Sequence, residues 1–247
     1  MCRFKSGIIL KDRVFVPDYD SHTDMLEELK IADTEDNAKR LLVRAELVPP
    51  DDDVFSPVSS WKYHVDQDIL PDWYVAEVDE MRMREAVTTW AKEHIHIGEK
   101  IERIDSGTHW IKDCEAGEIG GTAEIRVLAN SDVTYIGGHV KIQSIVDSYV
   151  KYISGQVDIE NVDGFSYIKN ITGLVNIEYI NDRANIAYIR GQGVCIISTW
   201  RKWINNYNVK NICIKEKAVL IDMRNGKIYH AGEYETVIVG EKENDKF

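Results

Sequence analysis

The chain has 247 residues, 44% of them hydrophobic and 29% charged, with a formal net charge of −12. That length suits one large domain or two modest ones with a sizeable core, and no apolar run approaches the roughly 20 residues needed to span a bilayer. Residues 1–130 hold 28 Asp/Glu against 16 Lys/Arg, whereas residues 131–247 hold 14 of each; the acidic half argues against ordinary nucleic-acid binding and suits a basic protein surface.

The opening stretch, MCRFKSGIILKDRVF, lacks the long apolar region and small-residue cleavage site of a signal peptide, so a cytoplasmic protein is expected. "SGIILKDRVFVPD" predicts two short strands around Lys11-Asp12. "SHTDMLEELK" predicts a helix with Ser21 or Thr23 as N-cap and with Met25, Leu26 and Leu29 facing inward. "LLVRAELVPP" reads as a strand with Val43, Ala45 and Leu47 on one face and Arg44 and Glu46 on the other. "DDDVFSP" is a loop and "SWKYHVDQD" a further strand. "DEMRMREAVTTWAKEHI" predicts a helix capped by Asp79, with Met83, Ala86, Val87, Trp90, Ala91 and His94 at helical spacing. These elements define an acidic α+β domain over residues 1–104.

From Ser131 the chain becomes repetitive. It divides into SDVTYIGG, HVKIQSIVD, SYVKYISG, QVDIENVDG, FSYIKNITG, LVNIEYIND and RANIAYIRG. Aligned on their last residue, these units share two columns. One holds Val133, Ile142, Val150, Ile159, Ile168, Ile177 and Ile186; the other holds Ile136, Ile145, Ile153, Val162, Ile171, Ile180 and Ile189. β-Branched residues favour strands, and the Gly or Asp closing each unit tolerates the backbone of a tight turn. The pattern predicts a parallel β-solenoid of about 18 residues per coil over residues 105–197. With two units per coil, Tyr135, Tyr152, Asn170 and Tyr188 stack along one edge. They are the candidate binding residues, because aromatic ladders make good contact surfaces; the plainer alternative is a ladder that only stabilises the coil. The repeat lacks the GGxGxD of calcium-binding rolls and the six-residue signature of left-handed acyltransferase helices.

Residues 198–247 are expected to close the solenoid as a C-terminal β cap, since an open end exposes core and strand edges. Trp200, Trp203 and Tyr207 are placed over the last coil. "AVLIDMRNGKIYHAG" predicts a hairpin turning at Asn225-Gly226, "ETVIVG" a further strand, and "EKENDKF" a mobile tail.

Chemistry-bearing residues are few. Cys2, Cys114, Cys195 and Cys213 fit no zinc spacing and are expected as free thiols. Cys2 becomes a candidate nucleophile beside a free amine if Met1 is removed; otherwise it is a small buried residue. "DYDSHTD" (Asp18, Asp20, His22, Asp24) and "HVDQD" (His64, Asp66, Asp68) combine imidazole with carboxylate, a donor set suited to a divalent metal; helix capping and solvated acidic loops are the preferred explanation, and no metal or cofactor is assigned. His94 and His96 of "HIHIG" are read as one face of an extended segment. The catalytic candidates are therefore Cys2, His22, His64 and Asp66. No P-loop, GxSxG, HExxH or dinucleotide fingerprint is present.

The stretches "MCRFKSGIILKDRVFVPDYDSH", "LLVRAELVPP" and "VDQDILPDWY" resemble an N-terminal module of uncharacterised proteins from gut bacteria and their phages, where Val-rich nonad repeats follow it. The repeats here are Ile/Tyr-rich and few. The resemblance implies a phage or mobile-element accessory protein, located in the host cytoplasm, and carries no activity.

These observations lead to an expected non-enzymatic scaffold that binds a protein partner through an acidic surface, such as a host defence or nucleic-acid-binding protein. One rival is a small-molecule or nucleotide-processing enzyme with a site at the domain junction. The other is a structural protein that self-assembles as a homo-oligomer. Neither direct nucleic-acid contact nor membrane association is expected.

Overall fold

The computed structural model describes residues 4–200, 212–223, 226–232 and 236–239. The chain divides into two compact units, 1–95 and 96–247, so the division falls ahead of the boundary expected at 104/105.

The first unit is built on a four-stranded antiparallel sheet of order β2-β1-β3-β4: β1 (Lys5–Leu10), β2 (Val14–Phe15), β3 (Leu42–Val48) and β4 (Lys62–Val65). β1 and β2 close through Leu10 N–H donating to Arg13 O at 2.8 Å. Helix α1 (His22–Glu28) starts at Ser21, whose hydroxyl accepts from Asp24 N–H at 3.2 Å. Its Met25 and Leu26 pack with Ile8 and Leu42. β3 alternates as expected: Val43, Ala45 and Leu47 are fully buried while Arg44 and Glu46 turn away.

A second helix, α2 (Glu35–Arg40), was not expected. It is short, capped by Thr34, and buries only Ala38, so it leaves no apolar periodicity to read. The long helix α3 spans Ala76–His94 and buries Met83, Val87, Trp90, Ala91 and His94. Asp79 is not its N-cap residue. It lies inside the first turn, where its carboxylate accepts from Val75 N–H at 2.8 Å and pairs with Arg82 at 2.7 Å. The carboxylate does a cap's work from within the helix, so the spacing pointed to the wrong start.

The second unit is a parallel β-solenoid of about six turns, with roughly 17 residues per turn. Among the described residues its coils feed two sheets, of eight and nine strands with the antiparallel strands Thr236–Val239 and Lys227–His230 included, and in each sheet strands from successive coils lie side by side. Val133 pairs with Val150, Val150 with Ile168 and Ile168 with Ile186 in one sheet. Ile142, Ile159, Ile177 and Ile197 do the same in the other. All fourteen residues of the two repeat columns are buried, at 2% exposure or less. Residues on successive coils thereby form one continuous apolar core reaching from Ile101 to Ala231.

The solenoid extends past both expected limits. Lys100–Ile104 already pairs in parallel with Glu115–Ile119, and Ile101 and Ile104 are buried there although Lys100, Glu102 and Arg103 make the segment look like surface. At the other end Val194–Trp200 pairs in parallel with Val219–Asp222. The early coils are shorter, Ile101 pairing with Ala116, which brings the period below the expected 18 residues.

Each corner has its own chemistry. At one, Gly121, Gly138 and Gly155 stack with φ of +55°, +81° and +74°, and a methyl group on Gly138 would meet Gly121 O at 2.6 Å. At the other, Asp113, Asn130, Asp147 and Asp182 adopt positive φ, which Asn and Asp tolerate better than most residues. Beside this second corner runs a buried serine ladder. Cys114 N–H donates to Ser131 Oγ at 3.0 Å, Ser131 N–H to Ser148 Oγ at 3.1 Å, and Ser148 N–H to Ser166 Oγ at 3.3 Å. Each hydroxyl donates onward to a backbone carbonyl.

Val219–Asp222 and Lys227–His230 form an antiparallel hairpin whose last pair is Asp222 with Lys227. The turn expected at Asn225-Gly226 falls on Asn225, which lies outside the described residues. Thr236–Val239 pairs antiparallel with Ile212–Lys215. Trp200 ends a strand paired with Ile180 rather than starting a covering loop. Trp203, Tyr207, Asn225 and the tail 241–247 lie outside the described residues. Cys114, Cys195 and Cys213 are free thiols. Among the described residues no helix is long and apolar enough to cross a membrane.

Candidate functional site

The segment Asp18–His22 is fastened by alternate side chains, each to a different element of the first unit. Asp18 pairs with His94 at the end of α3, at 3.1 Å. Asp20 receives Lys5 Nζ at 2.7 Å and Ser6 N–H at 3.2 Å, both on β1. His22, the first residue of α1, meets Asp66 just beyond β4, with Nδ1 to Oδ2 at 3.2 Å. The segment is thereby tied to α3, β1 and Asp66 in turn. Ser21 caps α1 as expected, and Asp18, Asp20 and Asp66 face solvent while also making these pairs.

Lys5 is buried, at 1% exposure. Its ammonium lies 4.6 Å from the centroid of the Trp90 ring and also donates to Tyr19 O at 3.2 Å. Burial lowers its pKa from the usual lysine value, and the carboxylate of Asp20 opposes that fall.

His22 and Asp66 share their surroundings with Glu46 and His64. Glu46 lies on the polar face of β3 directly opposite His64 of β4. Potential ligand atoms of His22, Glu46 and Asp66 all lie within 4.8 Å of one another. Glu46 titrates above the usual carboxylate range, chiefly because of burial and next because of Asp66, with His22 and His64 acting the other way. Hydrogen bonds to β3 hold the group in shape: Asp66 N–H donates to Arg44 O at 2.9 Å, and the Gln67 side-chain amide donates to Leu42 O at 3.2 Å.

Three of the four catalytic candidates, His22, His64 and Asp66, are therefore gathered on the first unit. Cys2 lies outside the described residues. Glu46 and Lys5 were missed, because one reads as the polar half of an amphipathic strand and the other as a lone basic residue. His94 and His96 do not share an extended face. His94 closes α3, while His96 lies on a strand and contacts Glu99 at 3.3 Å and His109 at 3.2 Å.

On the solenoid, Tyr135, Tyr152, Asn170 and Tyr188 stand in register on successive coils. Tyr135 and Tyr152 are exposed, at 36% and 39%. Asn170 is buried, its amide donating to Lys151 O at 3.1 Å. Tyr188 is partly covered by Arg190 and Lys215, whose cations lie 4.9 and 5.3 Å from its ring centroid. The ladder is thus an exposed tyrosine pair followed by a packed stretch.

Compared with known proteins, the chain matches no family model, no curated protein and no solved structure.

Proposed function

We propose that the protein acts by binding another protein, with the solenoid as a rigid scaffold and the first unit as the contact surface for a basic partner. The carrying observation is charge. Residues 1–95 hold 21 Asp/Glu against 12 Lys/Arg, a balance of −9. Six of those cations, Lys5, Lys39, Arg40, Arg44, Arg82 and Arg84, sit in ion pairs with the unit's own carboxylates. Asp12, Asp24, Glu27, Asp51, Asp53, Asp68 and Asp72 face solvent, and a field of one sign steers an oppositely charged partner. In the phage setting implied by the resemblance, the partner is a host defence protein that binds nucleic acid, and the acidic surface imitates its ligand. On this reading the first unit is an independent α+β domain, and the antiparallel strands Lys227–His230 and Thr236–Val239 serve as the solenoid's cap, ending parallel addition as an edge must. Capture from host lysate tests it. Retention of a basic protein that weakens with salt supports the reading; an unchanged yield after Asp51, Asp53, Asp68 and Asp72 are converted to Asn counts against it.

The gathering of His22, Glu46, His64 and Asp66 favours a second reading, an enzyme acting on a small molecule or nucleotide. Turnover of a defined substrate that disappears in Asp66→Asn, with the fold intact, would support this reading over the first. A self-assembling homo-oligomer is the third reading, and light scattering of the purified chain decides it.

A further inference from the structure

We propose that His22, Glu46 and Asp66 form a binding site for a divalent first-row transition-metal ion. The donor set is one imidazole nitrogen and two carboxylates, each from a different element: the first residue of α1, the middle of β3 and the residue following β4. Metal–nitrogen and metal–oxygen bonds to such ligands are about 2.0–2.2 Å, so two ligands on one ion sit at most about 4.4 Å apart. The three donors lie within 4.8 Å of one another. Three donors on one ion at those bond lengths sit about 3.3–3.7 Å apart, so the side chains close by up to about 1 Å to share an ion, and the exposed Asp66 carboxylate has room to make that movement.

The imidazole is oriented for this role. His22 Nε2 lies 3.5 Å from the carbonyl oxygen of Ala45. Nδ1 pairs with Asp66 Oδ2 at 3.2 Å; when an ion takes Nδ1, the remaining proton on Nε2 has the Ala45 carbonyl as its acceptor, the kind of partner that steadies a metal-binding histidine. Electrostatics points the same way. Among the described residues no Lys or Arg ion-pairs with Glu46 or Asp66. Arg44, the cation on the same face of β3 as Glu46, is engaged by Asp33. No Lys or Arg among the described residues thus neutralises the two carboxylates, whose partner is the imidazole itself; a bound dication takes the imidazole nitrogen in place of its proton and pairs with both carboxylates.

The ligand chemistry selects the ion. Imidazole disfavours Ca²⁺ and Mg²⁺, which take oxygen ligands, and suits Zn²⁺, Fe²⁺ or Co²⁺. Asp66 is 54% exposed at its side chain, so the outer coordination positions open to water or to a small ligand. His64, across the ladder from Glu46, stands close to the site without belonging to the set of three.

The proposal is independent of partner binding and needs no activity to be read. The full chain, stripped with a chelator and dialysed, is titrated with Zn²⁺ by calorimetry and with Co²⁺ by visible absorption. One equivalent is expected to bind, at least ten-fold more tightly than Ca²⁺, with a Co²⁺ spectrum showing nitrogen ligation. His22→Ala and Glu46→Gln are expected to weaken Zn²⁺ at least ten-fold. Asp66→Asn, at an exposed position that leaves folding intact, does the same, and circular dichroism of each variant confirms the fold. No saturable Zn²⁺ or Co²⁺ binding overturns the proposal. So does binding that Asp66→Asn leaves unchanged, which assigns the ion elsewhere, and so does a preference for Ca²⁺.

Discussion

Two single residues show how little room the coils leave. Gly138 combines a φ of +81° with a neighbouring carbonyl 2.6 Å from where a β-carbon would sit. Gly138→Ala is expected to cost at least about 1 kcal/mol through backbone strain, with the close contact adding to it; urea denaturation measures it, and an unchanged midpoint would show that this corner is loose. Cys195 is the second case. Full burial raises its thiol from 9.0 to about 12. Above pH 9 the unfolded chain releases this proton while the folded chain keeps it, so the folded state binds more protons. Its contribution therefore lowers stability as pH rises between about 9 and about 12. Denaturation midpoints followed through that window should fall more steeply for the wild type than for Cys195→Ala.

At the scale of an element, the serine ladder replaces strand hydrogen bonding where the coil turns. Each hydroxyl satisfies an amide of the preceding coil and a carbonyl of its own turn. Ser148→Ala removes the acceptor for Ser131 N–H in a place water does not reach. The expected loss is about 1–3 kcal/mol, the cost of one buried unsatisfied group. Hydrogen exchange should locate the change, with Ser131 N–H losing protection ahead of the strand amides. Uniform loss across the coil would mean that the ladder carries no local load. The serines recur in the sequence, but their alignment with a backbone amide one coil away depends on the coil period, so the ladder was not read in advance. The helices show the converse. α3 is legible from its apolar spacing, whereas α2 buries one alanine and is held by its cap.

Across the whole molecule the solenoid is a one-dimensional stack with a single continuous core, so damage in the middle is shared with both neighbouring coils. Ile159 is 2% exposed and pairs with Ile142 below and Ile177 above. Ile159→Ala is expected to cost about 2–5 kcal/mol. Thermal melting should shift as one transition, with exchange protection falling on both adjoining coils; a loss confined to the substituted coil would contradict the shared core. The charge imbalance acts at the same scale. Partner capture through the first unit should weaken steeply as ionic strength shortens the screening length from about 10 Å at 0.1 M salt, and salt-independent capture would argue for apolar contact instead.

The repeating aliphatic columns were determined by sequence alone, because a solenoid writes the same short-range demand into every coil: a β-branched residue pointing inward, then a residue able to turn. Position within a coil therefore predicts burial without knowledge of distant contacts, and Ile168 and Ile177 lie inside as their spacing requires. The polar cluster obeys no such period. His22, Glu46 and Asp66 stand on three separated segments, and only the antiparallel register of β3 and β4, together with the docking of α1, turns them toward one another. The same dependence on packing put Asn170 inside while Tyr135 and Tyr152 in its register stayed out, since register selects the column and the neighbours around it set the exposure.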